Sequence, residues 1–226
     1  MKRHIITTAD GSKTIQIEEW NEQYHSVHGA IQEAYHVFIK HGLCYFNEMH
    51  SNLKQPISVL EIGFGTGLNA FITLLEAEKL NMSIDYVGVE AYPVTMDEIQ
   101  ELNYPTALKA DNKASIFERL HMATWDKKNE ISKSFELTKQ LKTFFEIDDK
   151  NTFDIIYFDA FGARVQPELW TETIFKKMYD ALKSQGILVT YSAKGSVRRA
   201  MQAVGFKVEK LPGPPGKREM LRATKL

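Results

Sequence analysis

Three glycines and a glutamate have the spacing of a cofactor-binding turn. Gly63, Gly65 and Gly67 alternate as G-x-G-x-G shortly after an apolar run that contains Glu61 near its end. A dinucleotide site has the longer pattern G-x-G-x-x-G, in which the turn serves a pyrophosphate. The shorter spacing favours S-adenosylmethionine, whose amino-acid tail needs close approach of the backbone, and glycine permits this because it lacks Cβ. We expect Glu61 to bind the ammonium of that tail.

A second acidic residue agrees with a cofactor site. The apolar segment 86–89 predicts a buried strand that ends at Glu90. In nucleotide-binding α/β folds, a carboxylate at the end of the second strand accepts hydrogen bonds from ribose hydroxyls. The structural alternatives are a tight turn that only packs a helix on a sheet, and a strand end in solvent. The predicted cofactor contacts are Glu61, Gly63, Phe64, Gly65, Gly67, Leu68, Asn69, Glu90 and Asp159.

Asp159 and Phe161 follow a further apolar segment, 153–158, and are the predicted catalytic residues. Ligands of open parallel sheets bind beyond the carboxyl ends of the strands, where the strand order reverses. We expect Asp159 to accept an N–H bond from an amine, aim its lone pair and stabilise the charge that develops on nitrogen. Phe161 is expected to stack on the acceptor base or contact the cofactor. The alternatives are a helix N-cap for Asp159 and core packing for Phe161.

Strands and helices alternate from residue 57 onward, which predicts a mostly parallel sheet covered on both faces. The sequence predicts an α/β fold of the Rossmann-like class I methyltransferase type, with seven strands and a C-terminal antiparallel hairpin. The short connection 212–216 leaves no room for a crossover helix, so its strands pair antiparallel. Predicted strands are 57–62, 84–90, 135–141, 153–159, 186–192, 205–211 and 219–225, and predicted helices are 67–80, 94–103, 112–122, 170–182 and 196–203.

Two units are predicted along the chain. Residues 1–55 form an N-terminal extension, and residues 56–226 form the methyltransferase domain. In the extension, two β-prone runs around an Asp-Gly turn at 10–11 predict a hairpin. Apolar residues at helical spacing predict a helix over 31–47.

Composition is that of an ordinary globular protein. The 226 residues are 43% hydrophobic and 25% charged, and no apolar run reaches the ~20 residues that a membrane-spanning helix needs. The N-terminus lacks the apolar core of a signal peptide. The single cysteine, Cys44, and the spacing of the histidines give no metal-binding pattern. We therefore predict a cytoplasmic protein with no membrane partner and no metal.

Charge is distributed unevenly along the chain. Residues 194–226 carry +7, whereas residues 1–193 carry −8. A basic end on a nearly neutral protein suggests a polyanionic partner such as RNA, whose phosphates basic residues position without reading sequence. The alternative is an ordinary solvated face.

Several motifs together resemble the MnmC family of tRNA-modifying methyltransferases, over about residues 24–226. The combination is far more specific than the glycine turn, which many methyltransferases share. The matching segments are Tyr24-His25-Ser26, the E-x-x-x-V-F segment 33–38, the G-x-G-L-N segment 65–69, Asp159-Ala160-Phe161, the P-x-x-W segment 167–170, and segments 195–199 and 217–221.

The resemblance implies an S-adenosylmethionine-dependent N-methyltransferase that acts on the aminomethyl group of 5-aminomethyl-2-thiouridine at the tRNA wobble position. Separate enzymes would supply the aminomethyl precursor. The chain stops after the last predicted strand, so we expect methylation without the oxidase activity of bifunctional family members. The residues implied at the substrate or tRNA are Tyr24, Glu33, Lys194, Arg198, Arg199, Lys217 and Arg218.

The sequence departs from the family after the third predicted strand. The glycine-aspartate expected near adenine is absent, and Thr138-Lys139 stands roughly in its place, so no adenine contact is assigned. Two other classes of function stay open. A small-molecule amine methyltransferase would not need the basic residues, and a non-catalytic nucleotide- or tRNA-binding module would not need Asp159. A nicotinamide reductase is disfavoured by the glycine spacing.

Overall fold

The structure, a computed structural model, describes residues 2–50 and 55–226. Eleven strands and eight α-helices lie within these residues. The strands are β1 (Arg3–Thr7), β2 (Lys13–Ile17), β3 (Glu22–Gln23), β4 (Ile57–Ile62), β5 (Ile84–Glu90), β6 (Lys128–Ser132), β7 (Phe135–Leu141), β8 (Phe153–Phe158), β9 (Leu182–Thr190), β10 (Lys207–Pro212) and β11 (Glu219–Thr224).

The helices connect and cover these strands. A π-helical segment, Tyr35–Cys44, joins α1 to α2, and short 3₁₀ turns lie at Asp111–Lys113, Phe144–Glu146 and Pro167–Trp170. The α-helices are α1 (Ala30–Ala34), α2 (Tyr45–Met49), α3 (Leu68–Lys79), α4 (Met96–Glu101), α5 (Tyr104–Ala107), α6 (Ala114–Met122), α7 (Glu172–Ala181) and α8 (Gly195–Ala203).

One eight-stranded sheet forms the centre of the molecule, in the order β10-β11-β9-β8-β4-β5-β7-β6. The five strands from β9 to β7 in that order run parallel. All six residues of β8 are buried, as expected for a central strand covered on both faces. Strand order reverses between β4 and β8, and ligands bind at such a point. The predicted α/β architecture and the antiparallel β10–β11 hairpin are confirmed.

The sheet has one strand more than the seven predicted. The additional strand, β6, pairs antiparallel with β7 at the sheet edge. Of its five residues, Ile131 is buried and the others are polar. An edge strand with one buried side chain does not need an alternating apolar pattern, so the sequence gives no strand signal there.

The N-terminal hairpin is present and is extended by a strand that the sequence did not predict. β1 and β2 pair antiparallel, and the two-residue strand β3 completes a three-stranded sheet. The predicted helix over 31–47 is helical throughout, but its middle is the π-helical segment. There Val37, Phe38 and Ile39 are consecutive and all buried. The division at residue 55 stays a prediction.

No helix among the described residues is long and apolar enough to cross a membrane.

Candidate active site

The turn between β4 and α3 requires glycine at three positions. The φ angles of Gly63, Gly65 and Gly67 are +90°, +48° and +70°, in the region that residues with Cβ rarely adopt. A Cβ on Gly63 would lie 3.0 Å from the carbonyl oxygen of Asp159, and one on Gly65 would lie 3.0 Å from the Tyr24 ring. The glycines therefore permit close approach of other parts of the protein to the turn.

Pairing of β8 with β4 places Asp159 beside this turn. The Asp159 backbone N–H donates to the carbonyl of Ile62 at 3.0 Å. Asn69 lies in the first turn of α3, and its side-chain nitrogen donates to Glu61 Oε1 at 2.9 Å and to Asp159 Oδ2 at 2.8 Å. One amide thus joins the carboxylates of two neighbouring strands. The sequence predicted each residue separately, but not the bridge.

An ion pair lies next to this bridge. Lys217 Nζ contacts Glu33 Oε1 and lies 3.8 Å from the centroid of the Tyr191 ring. Glu33 Oε2 accepts a hydrogen bond from the backbone N–H of Ser26 at 3.0 Å. The Tyr191 hydroxyl donates to the carbonyl of Ala160 at 2.8 Å. We call Glu33, Glu61, Asn69, Asp159 and Lys217 the acidic cluster.

Burial dominates the electrostatics of the acidic cluster. It raises the pKa of Asp159 well above its usual value; the charge of Glu33 adds to this, and Asn69 and Lys217 oppose it. Burial likewise raises the pKa of Glu61, against the hydrogen bond from Asn69. A cation that enters the cluster would stabilise the ionised forms, because an opposite charge at short range favours them.

Glu90 closes the other side of the turn. Its Oε2 accepts the backbone N–H of Gly65 at 3.0 Å, and its Oε1 accepts that of Tyr92 at 2.8 Å. A carboxylate offers about four lone-pair sites, so both oxygens still have capacity for ligand hydroxyls.

A cavity of about 980 Å³, counted out to its open mouth, lies against the turn. Gly63, Gly65, Glu90 and Asp159 line it. The aromatic residues of its wall are Trp20, Tyr24, Tyr92, Phe144, Phe145 and Phe161.

Phe161 lies between two aromatic rings of the N-terminal segment. Its ring centroid is 5.4 Å from that of Trp20 and 5.0 Å from that of Tyr24, edge-on in both cases. The indole of Trp170 donates to the Phe161 carbonyl at 2.8 Å and fixes the backbone there. Phe161 therefore faces the cavity rather than the core. Trp20 was missed because no motif includes it.

Two arginines tie the N-terminal sheet to opposite sides of the cavity. Arg3 in β1 donates to the Tyr92 carbonyl at 3.0 Å. Arg164, in the segment after β8, pairs with Glu22 at 2.8 Å and donates to the Trp20 carbonyl at 2.9 Å. The three-stranded sheet is thereby held as one wall of the cavity.

The turn has a second flank that does not reach the cavity. Phe64 and Leu68, both predicted cofactor contacts, are buried in the core. A Cβ on Gly67 would lie 2.8 Å from Nε2 of His121, and a Cβ on Gly88 would lie 2.4 Å from the Phe64 ring. Any contact of Phe64 or Leu68 with a ligand would therefore run through the backbone.

A buried lysine belongs to this flank. Lys139 Nζ donates to the His121 carbonyl and lies 4.6 Å from the centroid of the Trp125 ring. Burial lowers the pKa of Lys139 to about 8 and that of His121 to about 3. The cavity wall after β7 is instead formed by residues 143–145. We call Phe64, His121, Trp125 and Lys139 the lysine cluster.

The basic residues predicted to contact tRNA divide into two groups. Three are exposed and Arg198 is half-buried. They follow β9, or lie between β10 and β11, at the same sheet edge as Asp159. This first group is Lys194, Arg198, Arg199 and Arg218.

Other basic residues of the C-terminal segment are used inside the fold. Lys217 is in the ion pair with Glu33. Arg222 is 6% exposed, lies 3.3 Å from the centroid of the Tyr45 ring, and pairs with Glu209 at 3.2 Å. The +7 charge of residues 194–226 therefore overstates the charge that is free to meet a partner.

The fold and the glycine turn are those of the class I S-adenosyl-L-methionine-dependent methyltransferases, and the comparisons support a methyltransferase. The family described as "S-adenosyl-L-methionine-dependent methyltransferase" matches residues 115–226. The predicted resemblance to MnmC is also confirmed. The chain is 26% identical to the tRNA 5-methylaminomethyl-2-thiouridine biosynthesis bifunctional protein MnmC of Actinobacillus pleuropneumoniae, and 28% identical to that of Leptospira interrogans.

Both alignments cover 90% of this chain and 32% of the relative, so the chain spans about a third of the length of these curated relatives. Among solved structures, MNMC2 from Aquifex aeolicus matches with a TM-score of 0.78 and 26% identity, covering 98% of this chain and 70% of that one. Spermidine synthase from Thermotoga maritima, at a TM-score of 0.58 and 15% identity, covers 99% of this chain and 68% of that one and shares the fold.

Proposed function

We propose that the protein transfers the methyl group of S-adenosyl-L-methionine to the amine of 5-aminomethyl-2-thiouridine at the wobble position of tRNA. One observation carries this proposal: three carboxyl groups and one lysine lie close together beside an aromatic cavity, which Asp159 lines. The excess of acidic groups suits cationic ligands. The names of the MnmC relatives supply the tRNA and the modified base.

The residues present fit the cofactor. Asn69 Oδ1 is buried and has no hydrogen-bond partner among the described residues. It adjoins Glu61 through the amide bridge, so a carboxylate and an unpaired acceptor stand together for an ammonium group. We assign that ammonium to Glu61 and Asn69, and the ribose hydroxyls to Glu90. The cofactor supplies an electrophilic methyl group on a sulfonium.

Asp159 would handle the acceptor amine. An alkyl amine with a pKa of about 10 arrives as the ammonium, which has no lone pair to attack a methyl group. Asp159 would accept one N–H bond and hold the nitrogen in line. Burial raises the pKa of Asp159 and so reduces the difference between it and the pKa of the ammonium. Transfer of an ammonium proton to Asp159 is therefore less unfavourable. Once that proton has passed from Asp159 to solvent, the regenerated carboxylate stabilises the charge that returns to nitrogen as the new bond forms.

Phe161 would position the acceptor base. It lies at the cavity wall between Trp20 and Tyr24. An unstacked base is commonly held on aromatic side chains. Separate enzymes would provide the aminomethyl group, and a tRNA substrate implies that the reaction takes place in the cytoplasm.

The direct test is methyl transfer from labelled S-adenosyl-L-methionine into tRNA that carries 5-aminomethyl-2-thiouridine. Label is expected on the aminomethyl nitrogen, and tRNA without that modification is expected to stay unlabelled. Bound cofactor without transfer to either tRNA would contradict the proposed substrate. Small amines assayed in the same way would then reveal the alternative methyltransferase function.

A second test concerns the RNA-facing surface. Arg198→Ala with Arg199→Ala removes two charges at the Asp159 edge of the sheet. We expect weaker tRNA binding and a salt dependence that is shallower by roughly 2 in the log–log slope. The matched control, Lys133→Ala with Lys207→Ala, removes two exposed charges at the opposite edge. Equal slopes for the two double variants would show that Arg198 and Arg199 are not part of the RNA-binding surface.

A further inference from the structure

The ion pair between Glu33 and Lys217 joins segments 184 residues apart. Glu33 is 7% exposed, and the Lys217 side chain is 32% exposed. Lys217 belongs by sequence to the basic C-terminal segment, next to the exposed Arg218. Its ammonium is nevertheless turned inward, onto a carboxylate and the face of the Tyr191 ring.

The loop that carries Lys217 is fixed against the N-terminal segment. The Pro212 carbonyl accepts a hydrogen bond of 2.7 Å from Nε2 of His36. A Cβ on Gly216 would lie 2.2 Å from the His28 ring, so the loop backbone packs directly on that side chain. Lys217 is thus held at its place by backbone contacts as well as by its charge.

The pair lies near Asp159, because the Tyr191 ring that faces Lys217 donates its hydroxyl to the carbonyl of Ala160, the next residue. The two charges act on Asp159 in opposite directions. The charge of Lys217 stabilises the Asp159 carboxylate, and the charge of Glu33 destabilises it. Asn69 also donates a hydrogen bond to this carboxylate. The titratable groups that face Asp159 from the elements packed around it are Glu33 on α1, Glu61 on β4, Tyr86 on β5, Tyr191 after β9, and Lys217 between β10 and β11.

We propose that Glu33 and Lys217 are positioning residues that set the charge state of Asp159, and that Lys217 does not bind a tRNA phosphate. The part played by Asp159 in methyl transfer rests on the proposed function. A phosphate contact would draw Lys217 away from Glu33 and leave this buried carboxylate without its cation. The inward pair therefore disfavours a contact between Lys217 and a phosphate.

The test is a ¹³C NMR titration of the Asp159 carboxyl carbon, assigned by its loss in Asp159→Asn. Lys217→Met removes the stabilising cation, so the midpoint of Asp159 should rise by about 1 pH unit. Glu33→Gln removes the destabilising anion, so the midpoint should fall by a similar amount. The double variant, which leaves neither charge, should return toward the wild-type midpoint and keeps the test valid if Lys217→Met alone fails to fold.

Arg218→Gln is the matched control, because Arg218 is the adjacent, exposed basic residue. It should leave the Asp159 midpoint unchanged and reduce the salt slope of tRNA binding by roughly 1. Lys217→Met should leave that slope unchanged. The proposal is overturned if the Asp159 midpoint is the same in wild type, Glu33→Gln and the double variant, or if Lys217→Met lowers the salt slope as Arg218→Gln does.

The titration needs no acceptor, so the two proposals fail separately. Absence of methyl transfer to tRNA, with opposite shifts of the Asp159 midpoint, would contradict the substrate and leave the role of the ion pair standing. Methyl transfer to tRNA without those shifts would support the substrate and contradict the role of the ion pair.

Discussion

The glycine turn separates two clusters that both contain buried ionisable groups. The acidic cluster, on the side of β8, reaches the cavity through Asp159 and combines carboxylates with an amide and a lysine. The lysine cluster, on the side of β7, packs a histidine and a lysine among aromatic rings in the core. Both shift the pKa values of their members by burial.

What distinguishes the two clusters is access and partners. Burial alone lowers the pKa of Lys139, whereas Asp159 is subject to burial, a like charge, an opposite charge and a hydrogen bond. A shifted pKa marks a functional candidate only where the group also meets a cavity. We therefore expect substitutions in the acidic cluster to change catalysis, and those in the lysine cluster to change stability.

Asp159→Asn should have the largest effect. Loss of the carboxylate removes the proposed acceptor for the amine and the charge proposed to stabilise the transition state. Turnover should fall on the order of 100- to 1,000-fold, while affinity for S-adenosyl-L-methionine stays within a few-fold. Single-turnover methyl transfer and calorimetric titration measure the two quantities. Turnover near the wild-type level would remove Asp159 from the mechanism.

Gly67→Ala tests the closed flank of the turn. The new methyl group meets His121 at 2.8 Å, at a backbone φ of +70°. The free energy of unfolding should fall by about 3 kcal/mol, which combines backbone strain with overpacking. Gly11→Ala is the control, since Gly11 has φ +83° and open space around its Cβ position. Urea denaturation should show a loss of about 1 kcal/mol for the control. Equal losses for the two variants would mean that the His121 side chain moves aside without cost.

Glu61→Gln should weaken cofactor binding by about tenfold, because a charged hydrogen bond to the ammonium is worth about 1.5 kcal/mol or more. The loss should be the same for S-adenosylhomocysteine, which carries the same amino-acid tail. Glu118→Gln, an exposed position on α6, is the control. Unchanged affinity for both ligands would assign the ammonium to other groups.

Lys139→Met should have the smallest effect and the opposite sign. A buried ammonium without a carboxylate partner is unfavourable. The free energy of unfolding of the variant should therefore be about 1 kcal/mol higher than that of the wild type at pH 7. The folded protein holds this proton less tightly than the unfolded chain, since the pKa falls from 10.5 to about 8. Wild-type stability should therefore rise between about pH 8 and 10.5 through this residue.

In Lys139→Met, the free energy of unfolding should rise less between pH 7 and pH 10 than in the wild type. Denaturation of both proteins at the two pH values measures this difference. Loss of turnover in Lys139→Met, with cofactor affinity retained, would break the division between the two clusters.

The elements of the sheet were predictable where a strand is an apolar run with an acidic residue at its end. β4 and β5 have the bounds expected from the sequence, because most of their residues are apolar and buried. β6 and the π-helical segment Tyr35–Cys44 were not predictable. The first is a polar edge strand, and the second has apolar residues that also fit an ordinary helix.

The site was predictable where position along a strand decides it. Glu90 and Asp159 follow from the strand-end rule, and both line the cavity. The contacts of Glu33 with Lys217 were not predictable, since no local pattern pairs residues so distant in sequence. Counting charge along the chain placed Lys217 with the RNA-binding residues, whereas tertiary packing turns it inward.

The amide of Asn69 gives the two substrates a common mechanical element. It holds the carboxylate assigned to the methyl donor and the one assigned to the acceptor. A ligand that draws Glu61 toward itself must therefore shift Asn69 and change the hydrogen bonding or the electrostatic environment of Asp159. Thermodynamic linkage makes this effect reciprocal. If bound donor changes the affinity for the acceptor by some factor, bound acceptor changes the affinity for the donor by the same factor. Binding of the two substrates is accordingly expected to be cooperative, with Asn69 as the joint.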